Sequence, residues 1–320
     1  MIFDDCSTDK SVYLIKKFLH LKFIKFFECK KNTNGSKIND LIKHSRGKYI
    51  AFLNSDDFWT KKTKLENQVS FLENNPKYGL CFTKVKLVNS ENIFFDKNFE
   101  NKFQFNLIEN EIDKPLKNLF YHGNYFCFSS ALIKKNVIKN VGEINHSLQQ
   151  LGDFDLWLRC AKIVKIKVLN KKMTAFRITS NNASNLGWNK LSNYNNELFF
   201  IANKFLDNIN YHDLNCNFEL KFKNKNFVAF EKALLLYNHP IRTFKFAGLL
   251  KFSDLMQDNK SKEIIINRYK FSIPKMQETL SQKFIYFSPL NYLKFCVINL
   301  LKKNTYLYTF LKNFVTKLKN

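Results

Sequence analysis

The sequence predicts an α/β protein: a sheet with flanking helices in its first half, then a mostly helical, basic region. Three observations carry that reading. Strand-like and helix-like segments alternate through the first hundred residues, the order that builds a wound sheet. Tyr49 to Leu53 is a short apolar run, the pattern of a central strand covered on both faces, and it stops on the polar Asn54-Ser55-Asp56-Asp57. From about Asn193 onward Gly, Pro and strand signals thin out and amphipathic helical patterns dominate.

Taken in order, Ile2-Phe3 opens as a strand and runs into the turn Asp4-Asp5-Cys6-Ser7-Thr8-Asp9. Val12, Ile15, Phe18 and Leu19 follow at helical spacing. Phe23 to Phe27 reads as a strand, Asn32-Thr33-Asn34-Gly35 as a turn, and Ile38, Leu41 and Ile42 as a helix leading to Gly47. Beyond the central strand, Thr63-x-x-Glu66 has the form of a capping box, and Leu65, Val69 and Leu72 stripe a helix that ends at Asn74-Asn75-Pro76. Gly79 to Val88 is the next strand, and this order implies a doubly wound, largely parallel sheet. Asn89 to Asn110 is a polar loop or ribbon insert. Tyr125 to Leu132 is strand-like, Ile133 to Val141 a short helix and Gly152 to Ala161 a second one. Ile166–Leu169 and Ala175–Ile178 read as two short strands, and Asn181–Asn185 as the closing loop. The expected division is a sheet domain over 1–185 and a helical region over 186–320, with helices at Asn193–Asn208, Asn226–Tyr237 and Ile241–Met256.

A chain of 320 residues with 45% hydrophobic content can hold one large domain or two ordinary ones. Its formal net charge is +25, from 52 Lys+Arg against 27 Asp+Glu. Only Arg46, Arg159, Arg177, Arg242 and Arg268 are arginines, whereas a base-reading nucleic-acid protein leans on Arg for bidentate contacts. A basic nucleic-acid-binding protein is therefore the weaker rival class, and no specific nucleic acid is expected as a partner. A lysine excess fits a diffuse attraction to phosphate or an anionic membrane better. It also fits a general compositional bias, since Lys, Asn, Ile and Phe are all abundant.

The seven cysteines are scattered, odd in number and never form C-x-x-C, which argues for reduced thiols in a cytoplasmic protein and against a zinc site. No run of 18 apolar residues exists to span a membrane. From Gln282 to Asn320 there are seven Lys and no acidic residue, interleaved with aromatic and aliphatic side chains. This segment reads either as a basic amphipathic helix on an anionic membrane surface or as a helical region with a lysine-rich solvated face.

Three acidic points stand at loop edges of the inferred sheet: Asp4-Asp5, Asp56-Asp57 and Asp153. In open α/β sheets the carboxyl edge is where ligands bind. A carboxylate pair there can hold a hard divalent cation that neutralises a diphosphate; equally, Asp56 or Asp57 can cap the next helix, and Asp153 can serve only the helix dipole.

The order and spacing of these points resemble family 2 glycosyltransferases. Asp4-Asp5-Cys6-Ser7-Thr8-Asp9 resembles that family's D-D-G-S-T-D turn, and Asn34-Gly35 with Asn39 its N-x-G…N segment. Gly47 to Trp59 is similar to G-x-Y-I-A-F-L-D-x-D-D-x-W, and Leu65-Glu66-x-Gln68 to L-E-x-Q. Gly123-Asn124 with Ser129-Ser130 to Lys134 is similar to G-N…S-S-x-L-I-R. Gly152 to Arg159 resembles (E/G)-D-x-D-L-W-L-R, and Phe176-Arg177-Ile178 the closing F-R-x-H. The likeness covers roughly residues 1–185.

The resemblance implies a GT-A (Rossmann-like) mixed sheet with flanking helices, and inverting transfer of a sugar from a nucleotide-sugar, a UDP-sugar by family habit, to a surface-glycan or lipid-linked acceptor. It implies that Asp5 bonds the nucleotide base, that Asn39, Asn54 and Arg177 belong to the nucleotide-sugar site, and that Asp56 coordinates Mg²⁺ or Mn²⁺. Asp153 would be the general base on the acceptor hydroxyl. Arg177 would either touch the diphosphate or pair with Asp153 or Asp155. Trp157 and Arg159 read as packing residues.

Four departures qualify the resemblance. Asn54 replaces the first Asp of the family's D-x-D, weakening metal binding without abolishing it; Gly152 replaces a common Glu; Thr179 replaces a His. The family's first strand and helix, roughly 30 residues by the size of a β-α unit, have no counterpart before Met1. Ile2-Phe3 and Tyr49–Leu53 would then not be neighbours in the sheet, and activity would be impaired, with a catalytically impaired remnant as the alternative. The implied location is cytoplasmic, peripheral on the inner face of the cytoplasmic membrane.

Overall fold

The computed structural model describes residues 1–33, 37–106, 114–179 and 188–281. The Asn34-Gly35 pair, the Asn181–Asn185 loop, part of the polar insert and the basic segment from Gln282 lie outside the described residues.

Two sheets form. In the smaller, β1 (Ile2–Asp4) pairs parallel with β2 (Phe26–Glu28), joined through α1 (Ser11–Lys16). A helix α2 (Ile38–His44) then leads to the larger sheet. Its strands are β3 (Tyr49–Ala51), β4 (Phe58–Trp59), β5 (Tyr78–Val88), β6 (Leu132–Lys134) and β7 (Lys165–Arg177), in the order β3-β6-β5-β7-β4. β1 and β3 thus belong to different sheets.

The larger sheet is mixed, which corrects the largely parallel sheet read from the alternating elements. Only β5 and β7 run parallel; β3–β6, β5–β6 and β4–β7 are antiparallel. The element responsible is β6. The apolar stretch Tyr125 to Leu132 reads as a strand, but residues 125–131 are a buried loop with a 3-10 turn at Phe128–Ser130, the strand is Leu132–Lys134, and the helix expected from Ile133 starts at Lys135. The loop's main-chain carbonyls are satisfied by side chains instead of a ladder. Trp59 Nε1 donates to Ser129 O at 3.0 Å and Gln68 Nε2 to Ser130 O at 2.9 Å. A buried backbone needs such partners, and these two let it stay irregular.

The two short strands expected at Ile166–Leu169 and Ala175–Ile178 are one strand, β7. Its register against β5 jumps from Thr83–Leu169 to Lys84–Lys172, so Asn170 and Lys171 bulge out. The polar residues that broke the apolar pattern are the bulge itself.

The helix α3 (Lys64–Asn74) covers one face of β5, packing Leu72 against Cys81 and Leu132. The capping box expected at its start does not form: Thr63 has near-helical angles, φ −84 and ψ 6, and its side chain bonds no N–H of the helix. A capping residue is usually extended, which is what aims its oxygen at the helix end. Beyond β5 lies α4 (Lys97–Lys102), capped by Asp96 accepting from Phe99 N at 2.9 Å.

On the opposite face Leu80 and Phe82 enter a large core with α5 (Pro115–His122), α6 (Lys135–Val141) and α7 (Gly152–Ala161). Trp157 is fully buried there, edge-on to Phe82 at 5.0 Å between ring centres, in keeping with a packing role. Arg159 pairs with Asp155 at 2.8 Å and donates to the carbonyls of Val141, Gly142 and Glu143, tying the α6–α7 connection.

The same core continues past residue 185. It takes Leu198, Ile201, Ala202 and Phe205 from α8 (Trp188–Phe205) and Leu214 from α9 (Tyr211–Asn217). It also takes Leu236 from α10 (Val228–Tyr237), and Phe244 and Ala247 from α11 (Arg242–Gln257). The compact unit accordingly runs from Met1 to Leu255, and residues from Met256 form a second unit that holds α12 (Asn259–Glu263) and α13 (Ile273–Ser281).

His239 fastens α5 to the following helices. Its Nδ1 accepts from Ile241 N at 2.9 Å, so Nε2 carries the proton and donates to Phe120 O at 2.8 Å. Burial lowers its pKa and favours this neutral form.

Candidate active site

The central strand ends in a turn that other elements clamp. Ile50 and Phe52 are buried, and the Asp57 amide closes the turn onto Asn54 O at 3.2 Å. Ser129, fully buried, accepts from Asn54 N at 3.0 Å and donates to Asp57 Oδ2 at 2.5 Å. The other oxygen of Asp57 accepts from Arg177 N at 2.9 Å. Both oxygens of Asp57 are therefore used inside the protein, and burial pushes its pKa up. Asp57 is a strut for the turn.

Asp56 is different. It is exposed, its carboxylate has no hydrogen bond or ion pair among the described residues, and it lines a cleft of about 530 Å³ together with Asn54, Asp57 and Asp153. Among the described residues no three His, Cys, Asp or Glu side chains converge into a metal cage.

Asp153 stands in the first turn of α7 and lines the same cleft. Its Oδ1 accepts from Phe154 N at 2.7 Å and its Oδ2 from Asn124 Nδ2 at 2.9 Å. Burial, acting against these two bonds, raises its pKa from 3.8 to about 6. Tyr194 from α8 also lines the cleft, and its pKa rises through burial and the Asp153 charge.

Not all the expected residues reach this cleft. Asn54, Asp56 and Asp153 line it; Asp5, Asn39 and Arg177 do not. Asp5 lies just after β1, where its Oδ1 accepts from Thr33 N at 2.7 Å and Thr33 Oγ1 at 2.8 Å. Asn39 is buried, donates to Ile144 O at 2.8 Å and accepts from Ile144 N at 3.1 Å, bracing α2 against the loop before α7. Arg177 spreads its guanidinium over the Asp56 carbonyl (2.7 Å), the Asn89 carbonyl (2.7 Å) and Asn92 Oδ1 (2.8 Å). Among the described residues Asp155 pairs with Arg159 instead.

Two residues that the sequence did not single out matter here. Asn124 touches the Asp153 carboxylate; it was visible only as part of Gly123-Asn124. Gly123 ends α5 at φ +74, a left-handed turn that glycine takes without strain and that brings Asn124 across to α7. Glu197 on α8 has no local signal at all. Its carboxylate accepts from Gln149, Gln150 and Leu151 N, each at 2.9 Å, and so holds the chain just before Asp153.

Residues 1–142 match the model of the family described as Glycosyl transferase family 2. An uncharacterised glycosyltransferase of Methanocaldococcus jannaschii is 26% identical over 199 residues, 61% of this chain and 65% of that protein. The Escherichia coli protein WfaP is a UDP-Glc:alpha-D-GlcNAc-diphosphoundecaprenol beta-1,3-glucosyltransferase, 27% identical over 214 residues, 64% of this chain and 75% of WfaP. The chain spans 65% of the length of the archaeal relative and 26% of a Mycobacterium bovis one. Among solved structures, residues 1–349 of S. aureus TarS share the fold with a TM-score of 0.50 at 16% identity, over 89% of this chain and 83% of that one. The fold is GT-A: a mixed sheet with flanking helices and a helical C-terminal region.

Proposed function

We propose that the chain is an inverting glycosyltransferase acting from a UDP-sugar onto a surface-glycan or lipid-linked acceptor, on the basis that residues 1–142 match the model of glycosyl transferase family 2. The observation that carries this reading is that Asp56 and Asp153 line one cleft. WfaP's donor and its lipid-diphosphate acceptor support the substrate classes.

The chemistry follows from the two acids. Asp153, with a pKa of about 6, is largely ionised at neutral pH yet basic enough to take a proton. An acceptor hydroxyl hydrogen-bonded to it attacks the anomeric carbon from the side opposite the diphosphate. The new C–O bond forms, the bond to the diphosphate oxygen breaks with its electron pair, and Asp153 keeps the hydroxyl proton. Attack from the opposite face inverts the configuration.

Asp56 offers one exposed carboxylate with no partner among the described residues, next to Asn54. That donor set fits Mg²⁺ or Mn²⁺ only if the substrate's phosphates complete the coordination, as Mg²⁺ sites commonly require. A bound ion would supply neutralisation of the leaving diphosphate. Asn39 and Arg177 contribute by bracing the cleft walls, and Asp5, whose Oδ1 holds Thr33, is assigned to the nucleotide base through its match to the family's turn.

The test is UDP release from a panel of UDP-sugars, with and without EDTA, in the wild-type chain and in Asp153→Asn and Asp56→Ala. Both variants should lose turnover by at least about 100-fold, the scale of removing an acid–base group. Full turnover in Asp153→Asn would sink the reading.

No described helix is long and apolar enough to cross a membrane. The basic segment from Gln282 is assigned to docking on an anionic membrane surface, where a lipid-linked acceptor would be found. Sedimentation with anionic vesicles should show binding that weakens with salt; no binding at low salt removes this part.

A further inference from the structure

The cleft leaves one question open in its own geometry: what holds the Asp153 carboxylate in one place and in its proton-accepting form. Its two neighbours differ in kind. Phe154 N belongs to the same helix and follows from the helix itself. Asn124 comes from just past the end of α5, 29 residues earlier in the chain. Its orientation is fixed without ambiguity. Asn124 Oδ1 accepts from the main-chain N–H of Phe126 at 3.2 Å, and a main-chain N–H can only donate. The NH₂ end of the amide must therefore be the end facing Asp153 Oδ2, at 2.9 Å.

We propose that Asn124 is the positioning residue of Asp153: its amide, locked by Phe126, donates into the carboxylate, aims it into the cleft and keeps it able to accept a proton. A donor favours the charged form of a carboxylate, opposing the burial that favours the neutral form. Each carboxylate oxygen has two acceptor sites, so one donor on each still leaves a lone pair for the acceptor's proton. The proposal rests on the reading of Asp153 as the base, and concerns a contact that the family match does not assign.

Other groups around the cleft bear on the same titration. Asp56, Asp57, His122, His146 and Tyr194 also line the cleft. Cys127 is buried nearby, and its thiol is pushed up by burial and by the charges of Asp57 and Asp153. On the same helix, Asp155 and Arg159 neutralise each other. Among the described residues Asn124 is the side chain that donates to Asp153.

The experiment is carboxyl ¹³C NMR on the full chain labelled at aspartate, with the Asp153 signal identified by its absence in Asp153→Asn. Asn124→Ala removes the donor. Asn124→Asp is nearly isosteric, keeps the acceptor for Phe126 N, and places a second carboxyl beside the first. The Asp153 titration should move up by about one unit in Asn124→Ala, a tenfold change in proton affinity. In Asn124→Asp it should move further and split into two coupled steps. An unmoved titration in both variants would overturn the proposal. So would loss of cooperative thermal unfolding in both, which would make Asn124 a folding residue. Turnover of UDP-sugars by Asp153→Asn would instead sink the assignment of the base, while the NMR shift would still report the contact.

Discussion

Replacing Asp153 by Asn should stabilise the protein at alkaline pH and cost it about 1 kcal/mol, the lost bond to Asn124, at acid pH. The folded carboxyl titrates at about 6, against 3.8 when unfolded. Between those values the folded state holds more protons than the unfolded one, so stability falls as pH rises through that window. Above it, the roughly two-unit difference corresponds to about 3 kcal/mol of penalty for keeping a charge in the cleft wall. The side chain is partly open to the cleft, so water reduces this to about 1–3 kcal/mol. Asparagine carries no charge. Its Oδ1 can still accept from Phe154 N, but its NH₂ faces the NH₂ of Asn124, a lost hydrogen bond of about 1 kcal/mol. The lost bond acts at every pH, whereas the charge penalty acts only above the window. Urea unfolding of both proteins at pH 4 and pH 8 separates the two. The advantage of Asp153→Asn at pH 8 should exceed that at pH 4 by about 2 kcal/mol. An advantage that is equal at both pH values, or larger at pH 4, would refute the reasoning. The expected result is the usual exchange of stability for a reactive group.

Four further outcomes follow from the packing. Lys64 is fully buried, stacks over Trp59 at 4.5 Å and has its pKa lowered from 10.5 to about 8 by burial. The unfolded state then binds more protons between those values, so Lys64 makes stability rise with pH there, by up to about 3 kcal/mol; Lys64→Met should lose that component. Buried Cys81 acts oppositely, so the comparison is the difference between wild-type and variant melting temperatures at pH 8 and pH 10. Glu197→Ala should cost about 3 kcal/mol or more, because three main-chain donors lose a buried carboxylate, and amide exchange at residues 149–151 should accelerate. At Gly248 an added Cβ would sit 2.4 Å from Tyr237 N and 2.9 Å from Ala233 O, so Gly248→Ala must part α10 from α11. It should lower the melting temperature far more than Leu250→Ala, whose side chain is 41% exposed. A chain ending at residue 185 should fail to unfold cooperatively, since it loses Leu198, Ile201, Ala202 and Phe205 from the core; circular dichroism melts would check this.

The alternating elements and the cleft's two acids were legible because they depend on local pattern. The run Tyr49–Leu53 placed β3 and its acidic turn, and the stripe ending at Leu72 placed α3. Pairing direction was less legible. β6 is three residues long and follows a buried irregular loop, so its antiparallel sense is set by where Trp59 and Gln68 anchor that loop. The register break in β7 hid its continuity for a similar reason: the bulged Asn170 and Lys171 look like an end. Side-chain commitments were the least legible. Asn39, Asp57 and Arg177 stand at ligand-like positions in the pattern, but their polar groups bond main-chain and side-chain partners that only the fold brings near.

The same distinction explains why a motif boundary near 185 does not coincide with the edge of the compact unit. The recognisable residues line the cleft, after the end of β3 and at the start of α7. The forces that hold those ends come from further along. Glu197 satisfies three N–H groups just ahead of α7, a place where a helix otherwise leaves donors unpaired. Tyr194, four residues before Leu198 on the same helix, closes the cleft beside Asp153, while Leu198 itself enters the shared core. One turn of α8 thus presents a cleft wall, a cap and a core anchor together. Asp153 can be aimed only if α7 is fixed: Asn124 bonds its carboxylate and Glu197 holds the chain just ahead of the helix. The helices beyond the family match are therefore part of the cleft's geometry, and Asp153 depends on them as much as on its own motif.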